Sequence, residues 1–177
     1  GFVLEEGLAI TDFERIVRSM GDTCHEAGVY VITGDTKVVE KGVLGGCVIN
    51  TSGIGRRSQA LEHDLSTVKN FRPDFDKRWI LDSNLRPSDK VILSGTIGDH
   101  GLAVLSSREG YGFGSKIVSD VAPLNQVTQR LLSEVGGVVA MKDPTRGGLA
   151  DALNEFSEKS HVGILIHEKK VPIRKNV

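Results

Sequence analysis

The sequence predicts a mixed α/β fold in two parts, and three observations predict it. Apolar, β-branched runs lead into polar turns that carry glycine. Stretches with apolar residues at every third or fourth position lie between those runs. A polar, proline-bearing stretch near the middle of the chain divides the two halves. The length agrees, because 177 residues can bury roughly 70% of the surface that the unfolded chain exposes. Disorder is therefore excluded as the main state. Lys+Arg 22 against Asp+Glu 23 gives a net charge of −1, so nothing chain-wide draws this protein to nucleic acid or to an anionic membrane. The longest apolar runs, such as Val138–Met141, fall far short of the ~20 residues that cross a bilayer. Two cysteines, Cys24 and Cys47, make neither a disulfide framework nor a four-cysteine zinc site, and a reducing cytoplasm is the expected location.

The first element is under way from Phe2-Val3-Leu4. Thr11-Asp12-Phe13-Glu14 has the form of a capping box. The following helix places Ile10, Phe13, Ile16, Val17, Met20, Cys24 and Ala27 on one stripe and stops at Gly28. Cys24 falls on that stripe and Cys47 in an apolar strand, so both read as packed side chains. Val29-Tyr30-Val31-Ile32 predicts a strand that breaks at Gly34 and resumes at Val38-Val39, and Cys47-Val48-Ile49 predicts another after the Gly42–Gly46 turns. From Gly53 to Asp89 charged residues and two prolines replace periodicity, which predicts a linker or surface excursion with helical turns at 61–68 and 78–81 and Trp79 pinning it to a domain. Beyond it, Val91–Leu93, Val138–Met141 and Val162–Ile166 predict strands. Val121–Val135 and Gly147–Lys159 predict helices. The expected division is 1–55, an excursion at 56–89, and 90–177.

Three glycine-bearing turns after apolar runs are the candidate sites. In Thr33-Gly34-Asp35-Thr36-Lys37, glycine admits a ligand to the backbone, Asp35 suits Mg²⁺ and Lys37 suits phosphate, although a solvated hairpin would use the same residues. In Gly95–Gly101, His100 is a possible acid or base, or else a cap or surface residue beside a helix start. The G-x-x-G-x-x-G spacing there is neither a dinucleotide fingerprint nor a P-loop. In Asp143-Pro144-Thr145-Arg146-Gly147-Gly148, Asp143 or Thr145 could cap a helix. Arg146 offers a planar fork to an anion, and Gly147 and Gly148 open the helix N-terminus to phosphate or carboxylate. The remaining histidines lack metal-ligand spacing, and the Lys169-Lys170 and Arg174-Lys175 pairs read as a solvated end.

Taken in this order, Gly1–Leu8, Thr33–Val39, Gly98-Asp99-His100-Gly101 and Asp143–Gly148 resemble the HypE family of hydrogenase maturation proteins. The resemblance implies the PurM-like fold shared with aminoimidazole ribonucleotide synthetase: a strand-rich first domain that dimerises and binds ATP with Mg²⁺, and a second α/β domain. It implies ATP-dependent dehydration of a carboxamide, carried as a thioester-like S-carboxamide on a C-terminal cysteine, to a thiocyanate that supplies the cyanide ligand of nickel-iron hydrogenase. HypF would deliver the carbamoyl group, and HypC with HypD would receive the cyanide. An amide oxygen is a poor leaving group, so ATP must first activate it, and cations must steady the transferring phosphoryl charge.

By motif, the resemblance places Asp35 at the metal and phosphates. Lys37, His100 and Arg146 become the candidate catalytic groups, with Arg56 a further cation. Thr33, Gly34, Thr36, Asp143, Thr145, Gly147 and Gly148 become nucleotide-binding candidates. No counterpart of the family's upstream metal-binding stretch is found, and the final seven residues lack the terminal cysteine. The excursion is longer than is usual in the family. The chain is thus read as an internal fragment: the later part of the first domain and the earlier part of the second, inactive alone. Another PurM-like kinase or synthetase, and a non-catalytic dimerisation module, are the alternative readings.

Overall fold

The computed structural model describes residues 1–110 and 117–175. The chain divides into two compact units, 1–58 with 123–129, and 59–122 with 130–177.

The first unit is built on β1 (Phe2–Glu5), α1 (Ile10–Ala27), β2 (Thr36–Val39) and β3 (Cys47–Ile49). β1 is central: it pairs parallel with β2 and antiparallel with β3, giving the order β2-β1-β3. The helix returning the chain from β1 to a parallel β2 makes a βαβ unit. α1 keeps its predicted stripe, since Phe13, Ile16, Met20, Cys24 and Ala27 are half-buried, but Ile10 and Val17 stay exposed and no residue of the helix is fully buried. Phe13 meets the ring of Phe2 edge-on at 5.2 Å. The helix ends as predicted. Gly28 is left-handed at φ 66, its N–H donates to the His25 carbonyl and that of Val29 to Cys24, a Schellman closure. The predicted capping box is not formed: the helix begins at Ile10 with Ala9 as its cap, and no side chain caps it. Both cysteines are free and half-buried.

The second unit contains α2 (Gln59–Phe71), α3 (Asp99–Glu109), a π-helical turn at Leu131–Val135, α5 (Gly148–Ser160) and a short 3₁₀ turn at Glu168–Lys170; α4 (Asn125–Arg130) runs from the first unit into the π turn. Here the excursion expected at 56–89 is corrected. Ala60, Leu61, Leu65 and Val68 of α2 are buried, and the last three form with Phe75 the cluster against which Ile80 and Val139 pack. Ile80 and Phe75 hold this stretch down, whereas Trp79 is half exposed. The predicted 121–135 helix starts four residues late, after Pro123, and widens into the π turn, which the Gly136 N–H closes on the Leu131 carbonyl.

Four predicted strands, Val29–Ile32, Val91–Leu93, Val138–Met141 and Val162–Ile166, are unpaired. Their residues have the right propensity, but a strand exists only where a neighbour takes its N–H and C=O groups. Tyr30 and Ile32 remain 91% and 85% exposed, and Ile92 and Leu165 86% and 81%.

Candidate functional site

The first candidate turn lies where β2 begins. The Asp35 carbonyl accepts the Phe2 N–H at 2.8 Å, which ties the turn to the central strand, and Thr36 and Lys37 stand in register with Phe2 and Val3. The Asp35 carboxylate accepts the N–H of Thr36 at 2.8 Å through Oδ1. Thr33, Gly34, Asp35, Thr36 and Lys37 are all exposed. Asp35 and Lys37 border a depression of about 230 Å³ with Phe2, Val48 and Asn50. One carboxylate and one ammonium thus share an open hollow on a sheet whose backbone is fixed. Nearby, Glu5 of β1 takes the amides of Gly42 and Gly46 on its two carboxylate oxygens, which shapes the loop between β2 and β3. Arg56 is exposed in this same unit and is not among the residues that line the hollow.

The other two turns belong to the second unit. Gly98 is left-handed at φ 89 and opens α3, so Asp99 and His100 fall in its first turn. Asp99 is 1% exposed; its Oδ2 accepts the Thr96 hydroxyl at 2.5 Å, and Arg174 Nε lies 3.2 Å from Oδ1. The Arg174 contact is an ion pair out of hydrogen-bond alignment, because Oδ1 has no hydrogen-bond donor. His100 points outward, exposed, with Nδ1 2.9 Å from the Ser119 hydroxyl. The histidine is therefore oriented by one neighbour and leaves Nε2 to solvent.

In the third turn Gly148 N–H donates to the Thr145 carbonyl at 3.1 Å. Gly147, at φ 79 and ψ −5, takes the inner position of a type II turn, which requires glycine, and sets Arg146 at the outer corner. Gly147 is also the cap of α5, and neither Asp143 nor Thr145 supplies the predicted side-chain cap. A Cβ on Gly147 would come within 1.8 Å of Asp151 Oδ2. The glycine is thus required twice over, and no side chain caps the helix start that it opens. Asp143, Thr145 and Arg146 are exposed. The structure holds Asp35 and Lys37 together in one unit and the His100 and 143–148 turns in the other.

Sequence reasoning missed Asp64. It is fully buried on α2 and accepts the Val138 N–H at 2.8 Å, while its other oxygen has no partner. Burial pushes its carboxyl above 3.8, against the backbone N–H groups of Val138 and Gly137 and the charge of His63. The available signal was its place in an Ala60-Leu61-Asp64-Leu65-Val68 stripe of helical spacing. Lys159, bonded to Asp82 at 2.5 Å and Glu155 at 3.0 Å, is raised to about 12. Among the described residues no cluster of three side chains could hold a metal by itself, and no helix is long and apolar enough to cross a membrane.

This arrangement, a βαβ sheet followed by a helical unit with glycine-opened helix starts, has a recognised family. The AIR synthase related protein C-terminal domain matches residues 86–177 and its N-terminal domain matches residues 1–57. The chain belongs to the AIR synthase related family, and the expected PurM-like fold is borne out. Within that family its relatives are hydrogenase maturation proteins, as the motifs implied. The carbamoyl dehydratase HypE of Rhizobium leguminosarum bv. viciae is 44% identical over 177 residues, 99% of this chain and 46% of the relative. A crystal structure of HypE in complex with ATP superposes with a TM-score of 0.80 at 37% identity, over 99% of this chain and 48% of that one. The crystal structure of a HypE-HypF complex gives 0.77 at 37% identity, over 99% and 52%. The chain spans about half the length of the curated relatives it matches.

Proposed function

We propose that this chain is part of an ATP-dependent carbamoyl dehydratase that converts a protein-bound S-carboxamide to a thiocyanate, the source of the cyanide ligand of a nickel-iron hydrogenase. In this reading 1–55 is the later part of the nucleotide-binding and dimerisation domain, and 90–177 is the earlier part of the second domain. The observation that carries it is the pairing of Asp35 and Lys37 over one hollow, in a chain 44% identical to a carbamoyl dehydratase. The residues suit the group. Mg²⁺ keeps several waters and takes one or two protein carboxylates plus phosphate oxygens, so a single Asp35 is enough, and the start of α5, which no side chain caps, suits a phosphate.

Bound MgATP would supply the activation that lets the amide oxygen leave as phosphate. Asp35 would hold the metal, and Thr33, Gly34 and Thr36 would shape the backbone around it. Lys37, a compact cation on a fixed strand, sits against phosphate or carboxamide oxygen and favours the charge that develops there. On the second unit Arg146 presents its fork to an anion from the outer corner of a turn, beside Asp143 and Thr145. His100, held by Ser119 at Nδ1, offers Nε2 as the site that gives or takes the proton of the amide nitrogen. A homodimer, carbamoyl delivery by HypF and transfer to HypC and HypD complete the proposal, in the cytoplasm. The HypF partnership is supported by a solved complex of that protein with HypE.

The test uses the gene product that contains this chain, carbamoylated on its acceptor thiol and given MgATP. Mass spectrometry should show loss of one water from the adduct, abolished by Lys37→Ala. An adduct that persists with ATP present, or water loss that Lys37→Ala leaves at the wild-type rate, would overturn it.

A further inference from the structure

Residues 58–85 lie outside both matched domain ranges, yet they hold α2 and the core of the second unit. Besides Phe75 and Ile80, α2 meets one continuous segment, from the π turn to Val139. His63 Nδ1 lies 2.9 Å from the Leu132 carbonyl oxygen in the π turn. A Cβ on Gly136 would stand 2.8 Å from Thr67 Oγ1, and one on Gly137 3.5 Å from the Phe71 ring, so the Gly136-Gly137 turn is shaped to this helix. Asp64 accepts the Val138 N–H, Asn84 Nδ2 donates to the Val139 carbonyl at 3.0 Å, and the Val139 side chain packs on the Leu61, Leu65, Val68 and Phe75 cluster. Lys142 then meets Glu155 of α5 at 2.6 Å, directly before Asp143. Segment 138–142 has strand-like composition and no strand neighbour. Side chains of α2, Asn84 and α5 do the work that a neighbouring strand would otherwise do.

We propose that α2 is a clamp that fixes the 136–148 segment, with Asp64 as its main positioning residue, and so sets the Asp143–Gly148 turn in place. Buried in the interior, Asp64 gives a fixed acceptor to amides that would otherwise be orphaned, which confines the segment more than an exposed contact could. That the 143–148 turn binds a phosphate rests on the proposed function; that α2 holds the turn does not.

Hydrogen–deuterium exchange of the full chain tests this, with and without MgATP. In Asp64→Ala the amides of 136–148 should exchange about tenfold faster than wild type, while α3 keeps its wild-type rates, and Asp64→Asn, which retains an acceptor oxygen, should stay within about twofold. Unchanged exchange at 136–148 in Asp64→Ala, or acceleration spread evenly through α3 and α5, would overturn the clamp. Should Asp64→Ala not fold, the exposed His63→Ala removes only the bond to Leu132 and should speed 131–138 about threefold; no change there overturns the clamp equally. MgATP separates the two claims. Failure of nucleotide to slow any amide of 143–148 in the wild type counts against the proposed function, while the Asp64→Ala result still decides the clamp.

Discussion

The two units solve the burial problem differently. In the second unit α2, Phe75, Leu132, Ala152 and Leu153 are buried, and polar groups as costly as Asp64 and Asp99 are taken inside with them. In the first unit no residue reaches that state among the described residues: a three-stranded sheet and an 18-residue helix share only half-buried faces. A sheet of three short strands needs a covered face for independent stability. The difference teaches that burial is concentrated around α2, whereas the first unit presents its candidate chemistry on a strand held by ladder hydrogen bonds and half-buried packing.

The largest expected effect sharpens this contrast. Leu65→Ala, at 5% exposure in the α2 core, should cost about 2–5 kcal/mol by denaturant unfolding. Ile16→Ala on the half-buried stripe of α1 should cost about 1 kcal/mol. Equal costs would break the comparison. Next comes Gly147→Ala, which adds a Cβ 1.8 Å from Asp151 Oδ2 at φ +79 and should cost about 1–3 kcal/mol. The collision includes Asp151 Cβ at 2.6 Å, so a rotamer change cannot relieve it. Gly28→Ala, at φ +66 with open space around it, should cost only about 1 kcal/mol.

The smallest effect is a matter of sign. Burial raises the Asp64 carboxyl above 3.8 in the folded chain, so the folded state binds the proton more tightly than the unfolded one. The stability tied to this group is complete below about 3.8 and is lost as pH rises through the folded value. Asp64→Asn, which carries no charge, should therefore gain on the wild type as pH rises from 4 to 7 in thermal melts. A gap that stays constant or reverses would show that the carboxyl is not strained by burial. Asp74 and Glu155 run the other way, held low by hydrogen bonds to Arg86 and to Lys142. Their stabilisation is lost as pH falls, which is why the comparison is made between two variants at each pH.

Much of this was legible in residue order, and what was not has a physical reason. The stripe and Gly28 stop of α1, the strand at Cys47–Ile49 and the α5 helix are local patterns, and local patterns survive into the structure. The capping box was not formed because the helix is capped at Ala9, two residues before Thr11, which leaves Thr11 inside the first turn. The expected helical turn at 61–68 falls within α2, but the burial of that helix was hidden because Asp64 stands in the middle of its buried face, and a carboxylate there reads as surface until its partner, the Val138 amide, is known. The apolar runs at 29–32, 91–93, 138–141 and 162–166 carry strand propensity, but pairing depends on neighbours that sequence propensity does not supply. For the candidate site, the three turns and their residue types were readable. The type II geometry of Gly147, the hollow shared by Asp35 and Lys37, and the Ser119 contact of His100 were not, since each depends on residues distant in sequence or on backbone angles.

The central claim is that Asp35 is exposed for binding and not for folding. Calorimetric titration of the gene product with MgATP, alongside its thermal melt, compares wild type with Asp35→Asn. The account predicts an affinity loss of about tenfold or more, with stability within about 0.5 kcal/mol, as for other exposed substitutions. An unchanged affinity with a lowered melting temperature would contradict it and return Thr33–Lys37 to the role of an ordinary turn.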